Sequence, residues 1–547
     1  LLLLLLLLLL LLLLLLLRIH SHWKALTMNN NRRYGIERRE FLSYIAAVSA
    51  IPTIALRADE PVDEQPHFRG NPFTLGVASG DPEPDGVVLW TRLAPQPLDG
   101  GGMPSVAVRT RWEVATDEAF KNVVQTGDAL AMPQLGHSVH VEVDGLKPHH
   151  WYFYRFHAGS ETSPVGRTRT APAIDAMPDR LRFAFTSCQH YESGYFNGYP
   201  HMQKEDLDLV VHLGDYIYEY QGIDNRPRKH IGGEIKSLDE YRTRYAQYRL
   251  DETLQETHRL FPWLVTWDDH EFDNNCADLV SEEDGVSPEA FLARRMNAYQ
   301  AYYEFMPLRR RSFPQGPHMK LYRGCQYGRL ANFHVLDTRQ YRTDQPNGDH
   351  QKPMTGKVFD SKATMLGSKQ EHWLMSNLLQ STSTWNILAQ QVMMAPLNRG
   401  EGEDRRYSMD QWPGYEISRR RLLRFFHERN IPNPVVLTGD IHLNWVNDLQ
   451  LDFQDPKSPL VGTELVGTAM TSGGNGGNSI PEYERAAAQN DFVRYYNSNR
   501  GYVSCDLTPT SWTTHFRATP YADKPGAPLT TPATFVIESG RPGAQKA

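Results

Sequence analysis

The stretch Leu207–Tyr218, LDLVVHLGDYIY, predicts both the fold and the kind of site that the chain carries. Its first part is a short apolar run, which is typical of a buried strand. The run ends in Gly214, a residue small enough for a tight turn in which the backbone passes close to a ligand. Asp215 would then stand at the carboxyl end of a strand, which is where open α/β sheets place their sites.

Four further apolar runs end in the same way, in polar side chains that can bind metals or phosphate. They are Leu181–Phe185 before Cys188 and His190, Trp263–Trp267 before Asp268, Asp269, His270 and Glu271, Phe333–Leu336 before Asp337 and Arg339, and Val435–Leu437 before Asp440 and His442. Five such runs in order predict an α/β domain whose strand ends together build one site.

The residue types at these strand ends indicate a metal-dependent phosphoesterase. A thiolate, a phenolate, an imidazole and carboxylates together favour a hard-to-borderline transition ion, for which iron is a good candidate. Further carboxylates favour a second, oxygen-binding ion such as calcium or manganese. Two ions a few ångströms apart, roughly 3.5–4 Å in such sites, can activate water and stabilise the leaving oxygen of a phosphoryl group.

Three motifs stand in a fixed order: Gly-Asp-x-x-Tyr from 214, Trp-Asp-Asp-His-Glu from 267, and Gly-Asp-Ile-His from 439. With Ser-Cys188 ahead of them, they resemble the PhoD-type alkaline phosphatase family of the calcineurin-like metallophosphoesterase superfamily. The N-terminal stretches Leu75–Asp81 and Leu89–Arg92 resemble that family as well, so the resemblance extends from Met28 to about Ala522. It implies a metallophosphoesterase β-sandwich core flanked by helices, and hydrolysis of phosphate esters.

The resemblance also implies cofactors and residue roles. The expected ions are Fe³⁺ and Ca²⁺, with manganese or zinc as the alternative. The implied ligands of the iron-like ion are Cys188, Asp215, Tyr218 and His442; Asp215 bridges to a second ion that Asp269 and Asp440 face, with Asn274 and Asn275 beside them. His270 is implied as proton donor or phosphate-orienting group. The nearest equivalent of the superfamily's mid-chain histidine is Ala389-Gln390-Gln391, where an amide oxygen could serve the calcium side.

Several residues keep competing interpretations. Arg339 could bind substrate phosphate through its planar guanidinium, or it could form an ion pair with Asp337. His270 could form a plain ion pair with neighbouring acids. The glycine-rich stretch Thr471–Gly477 lacks the Lys-Ser/Thr ending of a phosphate-binding loop, so nucleotide binding is not expected there. The stretch Asp410–Tyr415 is interpreted as a structural loop with packing aromatics.

The 547 residues are too many for one ordinary core and divide into regions of different character. Residues 68–172 combine short alternating runs with turn clusters, which predicts a small all-β sandwich of the fibronectin or immunoglobulin type. A Pro- and Ala-rich linker at 171–180 then leads into a catalytic domain over 180–522. Residues 523–547 are again rich in Pro and Ala and are predicted to form an extended or disordered tail.

The first sixty residues indicate export. Residues 1–27 begin with seventeen leucines and are predicted to be a non-native leader, because a homopolymer ahead of Met28 looks like upstream mistranslation. The pattern from Arg38-Arg39 to the apolar run Tyr44–Leu56 is typical of a twin-arginine signal peptide over 28–58. We therefore expect a periplasmic or secreted bacterial protein that uses the twin-arginine machinery and keeps no membrane span when mature. The alternative is an amphipathic N-terminal helix on a cytosolic protein.

Composition narrows the function further. A net charge of −7 gives no reason to expect nucleic acid as a partner. Four widely spaced cysteines without a CxxC pair indicate neither a disulfide scaffold nor a structural zinc site. Because no serine or threonine stands in a nucleophile motif, the working hypothesis is direct attack of a metal-bound hydroxide on phosphorus. The alternatives are a phosphodiesterase with phospholipase D-like activity on teichoic acid or phospholipid, and a non-catalytic surface binding protein.

Overall fold

A computed structural model describes residues 61–477 and 480–547, and all structural statements concern these residues. The predicted leader and twin-arginine signal lie outside the described residues. Strands and helices are numbered in chain order. Among the described helices, none combines the length and apolar character that crossing a bilayer requires.

Two large sheets face each other and form the central sandwich. The ten-stranded sheet has the order β25-β24-β23-β22-β10-β11-β12-β2-β3-β6. Its strands are β2 (Val77–Glu83), β3 (Gly86–Arg92), β6 (Ser138–Val143), β10 (Leu181–Thr186), β11 (Leu209–His212), β12 (Pro262–Val265), β22 (Arg500–Leu507), β23 (Ser511–Thr519), β24 (Thr530–Glu538) and β25 (Arg541–Lys546). The pairs β10–β11, β11–β12 and β12–β2 are parallel, so several strands deliver their carboxyl ends to one edge.

The opposing sheet has seven strands in the order β13-β14-β16-β18-β20-β19-β21. They are β13 (Arg323–Tyr327), β14 (Ala331–Val335), β16 (Trp385–Ala389), β18 (Pro434–Thr438), β19 (Asn444–Gln450), β20 (Leu460–Val466) and β21 (Val493–Asn497). Its centre is also parallel, from β14 through β16 and β18 to β20. Phe183 and Phe333 meet edge to face between the sheets with ring centroids 5.2 Å apart. A short ribbon of β15 (Gln351–Lys352) and β17 (Tyr407–Ser408) lies apart from both sheets.

Helices cover the outer faces of the sandwich, so its central strands are buried on both sides and consist of continuous apolar runs. The described helices are α1 (Tyr199–Met202), α2 (Leu238–Arg249), α3 (Glu252–Leu260), α4 (Pro288–Phe305), α5 (Gly367–Gln380), α6 (Glu416–Glu428) and α7 (Pro481–Gln489). Helices α2 to α4 pack on the ten-stranded sheet, and α5 and α6 on the other. A capping box formed by Ser237 and Glu240 fixes the start of α2. This layout confirms the predicted α/β class.

The N-terminal region forms the predicted all-β sandwich. Its six-stranded sheet contains β1 (Val62–Asp63), β4 (Ala107–Ala115), β5 (Val123–Ala131), β7 (Trp151–Ala158), β8 (Glu161–Thr162) and β9 (Gly166–Arg169). Tyr154 and Phe156 of this sheet pack on Val87 and Leu89 of β3. Because β2 pairs with β12, the N-terminal sandwich shares one of its sheets with the catalytic region.

The C-terminal residues differ from the prediction. The expected extended or disordered tail over 523–547 is wrong from Thr530 onward, since β24 and β25 form the edge of the ten-stranded sheet. Ala533, Phe535 and Ile537 alternate along β24 and are buried in the sandwich core. The Pro and Ala content of this segment concealed a period of two that is typical of a strand.

Candidate metal centre

The predicted ligands lie on sharp turns that directly follow the parallel strands. Cys188, Asp215, Asp440 and His442 all adopt left-handed backbone conformations, with φ values of 55°, 55°, 62° and 60°. Such conformations cost about 1–3 kcal/mol each for residues other than glycine and persist where the surrounding structure enforces them. Four such residues in one site indicate that the fold orients their side chains toward a common point.

Gly214 permits the closest of these turns. Its φ is 110°, and a Cβ added there would lie 2.4 Å from the backbone nitrogen of Asp268. Only glycine lets the turn after β11 approach the turn after β12 this closely. The small residue ahead of Asp215 therefore brings two ligand-bearing turns together.

A first group of ligand atoms forms around Asp215. Ligand atoms of Cys188, Asp215 and His442 all lie within 4.8 Å of one another. The hydroxyl of Tyr218 donates to Asp215 Oδ2 at 2.7 Å and lies 3.3 Å from Nε2 of His442. The structure thus brings together all four residues that the family resemblance implied for the iron-like ion.

A second group is made of carboxylates. Ligand atoms of Asp268, Asp269 and Asp440 lie within 4.8 Å of one another, and those of Asp215, Asp269 and His270 form another such set. Asp215 and Asp269 therefore connect the two groups. Asp268 was not among the predicted ligands, although it precedes Asp269 in the same motif.

The residues fit bound cations. Asp215 Oδ1 and Asp268 Oδ2 are buried oxygens without a hydrogen-bond partner in the described part of the chain. Burial and neighbouring acids raise the pKa of both carboxyls well above the usual range. Burial lowers the pKa of His442 to about 3, which keeps its imidazole in the neutral form that binds metals. Bare carboxylate oxygens in such a place are costly, and cations would satisfy them.

Arg339 occupies a different place from the one expected of a phosphate-binding residue. Its side chain is fully buried and pairs with Asp268, with Asp410 at 2.8 Å and with Asp440 at 3.2 Å. Asp337, its predicted ion-pair partner, instead accepts a hydrogen bond from the backbone N–H of Arg339 at 3.0 Å. The guanidinium therefore holds carboxylates together and has no exposed surface to offer a substrate.

His270 is fixed on two sides. Its Nδ1 lies 2.8 Å from a carboxylate oxygen of Glu219, and its ring stacks on Tyr218 with centroids 4.1 Å apart. Burial alone would lower the pKa of His270, but the negative charges of Glu219, Asp215 and Asp269 raise it well above its usual value. These charges favour the protonated imidazole, and the contacts with Glu219 and Tyr218 set the orientation of the ring. Glu219 escaped the sequence reasoning although it directly follows Tyr218.

The amides considered as ligands have other partners. Gln391 Oε1 accepts from the hydroxyl of Thr338 at 2.7 Å, and Gln390 Oε1 accepts from the indole of Trp412 at 3.1 Å. Both amide oxygens at the mid-chain position thus accept hydrogen bonds within the protein. The backbone N–H groups of Asn274 and Asn275 donate to Glu219 and Asp269, and their side-chain amide nitrogens donate to Glu282 and Asp349.

Other contributors were missed because they approach from distant parts of the chain. The structural loop Asp410–Tyr415 supplies Asp410 to Arg339 and Gln411 to Asp440, at 3.0 Å for the latter. Ser472 of the glycine-rich stretch lies 2.7 Å from the hydroxyl oxygen of Tyr218. No local pattern marks these residues, since each reaches the site only through the packing of the two sheets.

Comparisons with known proteins show which family the chain resembles. A family profile described as PhoD-like phosphatase matches residues 183–516, and one described as PhoD-like phosphatase, N-terminal domain, matches residues 58–172. The chain is 50% identical over 519 residues to alkaline phosphatase D of Bacillus subtilis (strain 168), which covers 93% of this chain and 89% of that protein. It is also similar to a solved structure titled "Structure of PhoD", at 51% identity and a TM-score of 0.87, covering 88% of this chain and 93% of that one.

Proposed function

The chain belongs to the PhoD-like phosphatase family, and we propose that it is an exported alkaline phosphatase that hydrolyses phosphate esters with two kinds of bound metal ion. It is a phosphoric ester hydrolase, as its 50% identical relative is. The observation that carries the metal-dependent part is the buried Asp215 Oδ1, which lies between two groups of ligand atoms and has no hydrogen-bond partner among the described residues.

The proposed ligand sets follow the two groups. Cys188, Asp215, Tyr218 and His442 would hold Fe³⁺, for which this mixture of donors is suited. Asp215 would also face a second ion, Ca²⁺, together with Asp269 and Asp440, and the position of Asp268 adds it to this set. When bound, such ions lower the pKa of water and stabilise negative charge on phosphoryl oxygens.

The protein's own groups orient the substrate and move protons. His270, a cation held by Glu219, would donate to a phosphoryl oxygen or protonate the leaving group. Arg339 fixes the positions of the carboxylates with which it pairs. With no nucleophile motif in the sequence, we propose that water attacks phosphorus directly and that no covalent enzyme intermediate forms. A burst of released alcohol equal to the enzyme concentration would contradict this.

The test is metal analysis of the purified protein together with turnover of p-nitrophenyl phosphate and its bis-ester. We expect iron and calcium in the protein, and loss of both iron and activity in Cys188→Ser. Zinc alone, or full activity without metal, would refute the ligand assignment. The ratio of the two turnovers ranks phosphomonoesterase against the alternative phosphodiesterase activity. Export is a separate proposal that rests on Arg38-Arg39, and fractionation of the native host tests it.

A further inference from the structure

The glycine-rich stretch Thr471–Gly477, called here the glycine loop, runs directly along the metal centre. The backbone N–H of Ser472 donates to the carbonyl oxygen of Cys188 at 3.1 Å. The hydroxyl of Thr471 donates to the carbonyl oxygen of His190 at 2.8 Å. The loop is therefore bonded to the turn that presents Cys188.

The Ser472 hydroxyl contacts one of the proposed ligands. Its oxygen lies 2.7 Å from the phenolic oxygen of Tyr218 and 2.7 Å from the carbonyl oxygen of Cys188, and it accepts from the N–H of His190 at 3.1 Å. Ser472 is 2% exposed. The Tyr218 oxygen also contacts Asp215 and His442, which are both proposed ligands. Within the described part of the chain, Ser472 is thus its hydrogen-bond partner from outside the ligand set.

Arg500 ties the glycine loop to a second ligand. Its side chain is buried and donates to the carbonyl oxygen of Gly474 at 3.0 Å and to that of His442. It has no carboxylate within ion-pair distance in the described part of the chain, which distinguishes it from Arg339. Its donors therefore go to the glycine loop, to the His442 turn and to the hydroxyl of Thr468, and they hold the His442 turn against the loop.

The glycines make this approach possible. Gly473 has φ 81°, and a Cβ there would lie 2.8 Å from a guanidinium nitrogen of Arg500. Gly476 has φ 64°, and its Cβ would lie 2.3 Å from the carbonyl oxygen of Ser498. Gly473 and Gly476 thus serve close packing, whereas Gly474 and Gly477 have open space around the Cβ position and φ values of 74° and 109°. Both kinds of position favour glycine without any nucleotide.

We propose that the glycine loop is a positioning element for the metal ligands, in which Ser472 orients the Tyr218 oxygen and Arg500 holds the His442 turn. The inference rests on the proposed function, because it acts through two of the proposed ligands. Groups that hydrogen-bond to metal ligands typically change metal affinity or activity by about 10–100-fold when removed. Ser472 and Arg500 are positioning residues, and neither is proposed to touch the substrate.

The test uses ferric iron as the probe. The full-length protein, stripped of metal and reloaded with Fe³⁺, is titrated with nitrilotriacetate while bound iron and the visible absorption of the phenolate–iron pair are followed. Ser472→Ala is expected to lose iron at about 10–100-fold lower chelator concentration and to shift the absorption band. Its kcat for p-nitrophenyl phosphate should fall while KM stays within about twofold of wild type.

Matched variants separate positioning from folding. Ser472→Thr keeps the hydroxyl and should retain iron like wild type. Ser504 lies on the strand that begins with Arg500, and its buried hydroxyl donates to Glu205 at 2.6 Å. Ser504→Ala therefore also removes a buried serine hydroxyl, but it should leave iron retention unchanged. Arg500→Lys keeps the positive charge but loses the forked guanidinium donor. Its iron retention should lie between that of wild type and that of Ser472→Ala.

Two outcomes would overturn the inference, and they differ. If Ser472→Ala retains iron and the absorption band of wild type, the glycine loop does not position the ligands, although the proposed function stands. If the wild-type protein binds no Fe³⁺ with a phenolate band, the ligand assignment itself is wrong and the inference falls with it.

Discussion

Glu219→Gln offers the most direct test of how His270 acts. The carboxylate of Glu219 lies 2.8 Å from Nδ1 of His270, and its side chain is 2% exposed. A hydrogen bond between charged partners contributes about 1.5–3 kcal/mol, whereas a neutral one contributes about 1 kcal/mol. Glutamine keeps an oxygen acceptor at this position but removes the charge. We therefore expect a loss of about 1–2 kcal/mol in transition-state stabilisation.

That loss corresponds to a fall of about 5–30-fold in kcat/KM for p-nitrophenyl phosphate, measured with metal content checked in parallel. The pH profile should move as well. Glu219 is the first of the charges that raise the pKa of His270, so without it the imidazolium loses its proton at lower pH. The alkaline limb of kcat/KM should shift toward lower pH in Glu219→Gln.

A double-mutant cycle decides whether Glu219 acts through His270. In a His270→Ala background, Glu219→Gln should change kcat/KM by less than about twofold, because its partner is already gone. An equal loss in both backgrounds would refute the reasoning and would mean that Glu219 supports the site in another way, for example through the N–H of Asn274.

Three further predictions concern residues outside this pair. Arg339→Met should lower the free energy of unfolding by about 3–5 kcal/mol in urea denaturation, because buried carboxylates lose their partner; an unchanged midpoint would refute its structural role. Phe535→Ala should cost about 3–5 kcal/mol in the same assay, whereas a disordered tail would give no change. Arg226 is exposed and has no hydrogen-bond or ion-pair partner in the described part of the chain. Burial, His270 and the charge of Arg226 together lower the pKa of His190 to about 3. The ring of His190 lies 4.5 Å from that of Tyr218, so the charge of Arg226 reaches the edge of the proposed metal centre. Arg226→Ala should therefore raise KM about two- to fivefold for 4-carboxyphenyl phosphate relative to phenyl phosphate, while Lys229→Ala, whose charge is paired with Asp224, should not; equal effects would show that Arg226 does not attract the substrate.

The turns that carry the proposed ligands could be located in the sequence because their signal is local. An apolar run that ends shortly before Cys188, Asp215 or His442 predicts both the strand and the position of its carboxyl end from a few neighbouring residues. The partners of those ligands could not be predicted in this way. Ser472 stands 254 positions from Tyr218, and nothing in the glycine loop indicates which turn it will meet.

The fold shows the same division between local and distant information. The alternation of apolar and polar residues within 68–172 indicated a sandwich. The pairing of β2 with β12, however, joins segments about 180 residues apart, and no local sequence pattern predicts it. The prediction for the tail was wrong for another reason: its Pro and Ala content masked the alternation of Ala533, Phe535 and Ile537. Arg339 shows a third limit, because a guanidinium suits a phosphate and a carboxylate equally well, and only its burial separates the two roles.

The electrostatics of the buried site favour a role for cations beyond chemistry. Asp268, Asp269, Asp410 and Asp440 surround Arg339, and Arg342 adds a second guanidinium on Asp410. With all four carboxylates ionised, these two arginines leave two negative charges unbalanced before Asp215 is counted. Desolvated charges of one sign are unfavourable. Arg500 donates to carbonyl and hydroxyl oxygens, and the positive charge of His270 is opposed by the negative charge of Glu219, so neither removes the excess. The fold thus holds these carboxylates in place with arginine and leaves the remaining negative charge for metal ions to neutralise. The same cluster of buried carboxylates therefore sets the geometry of the site and creates its need for cations.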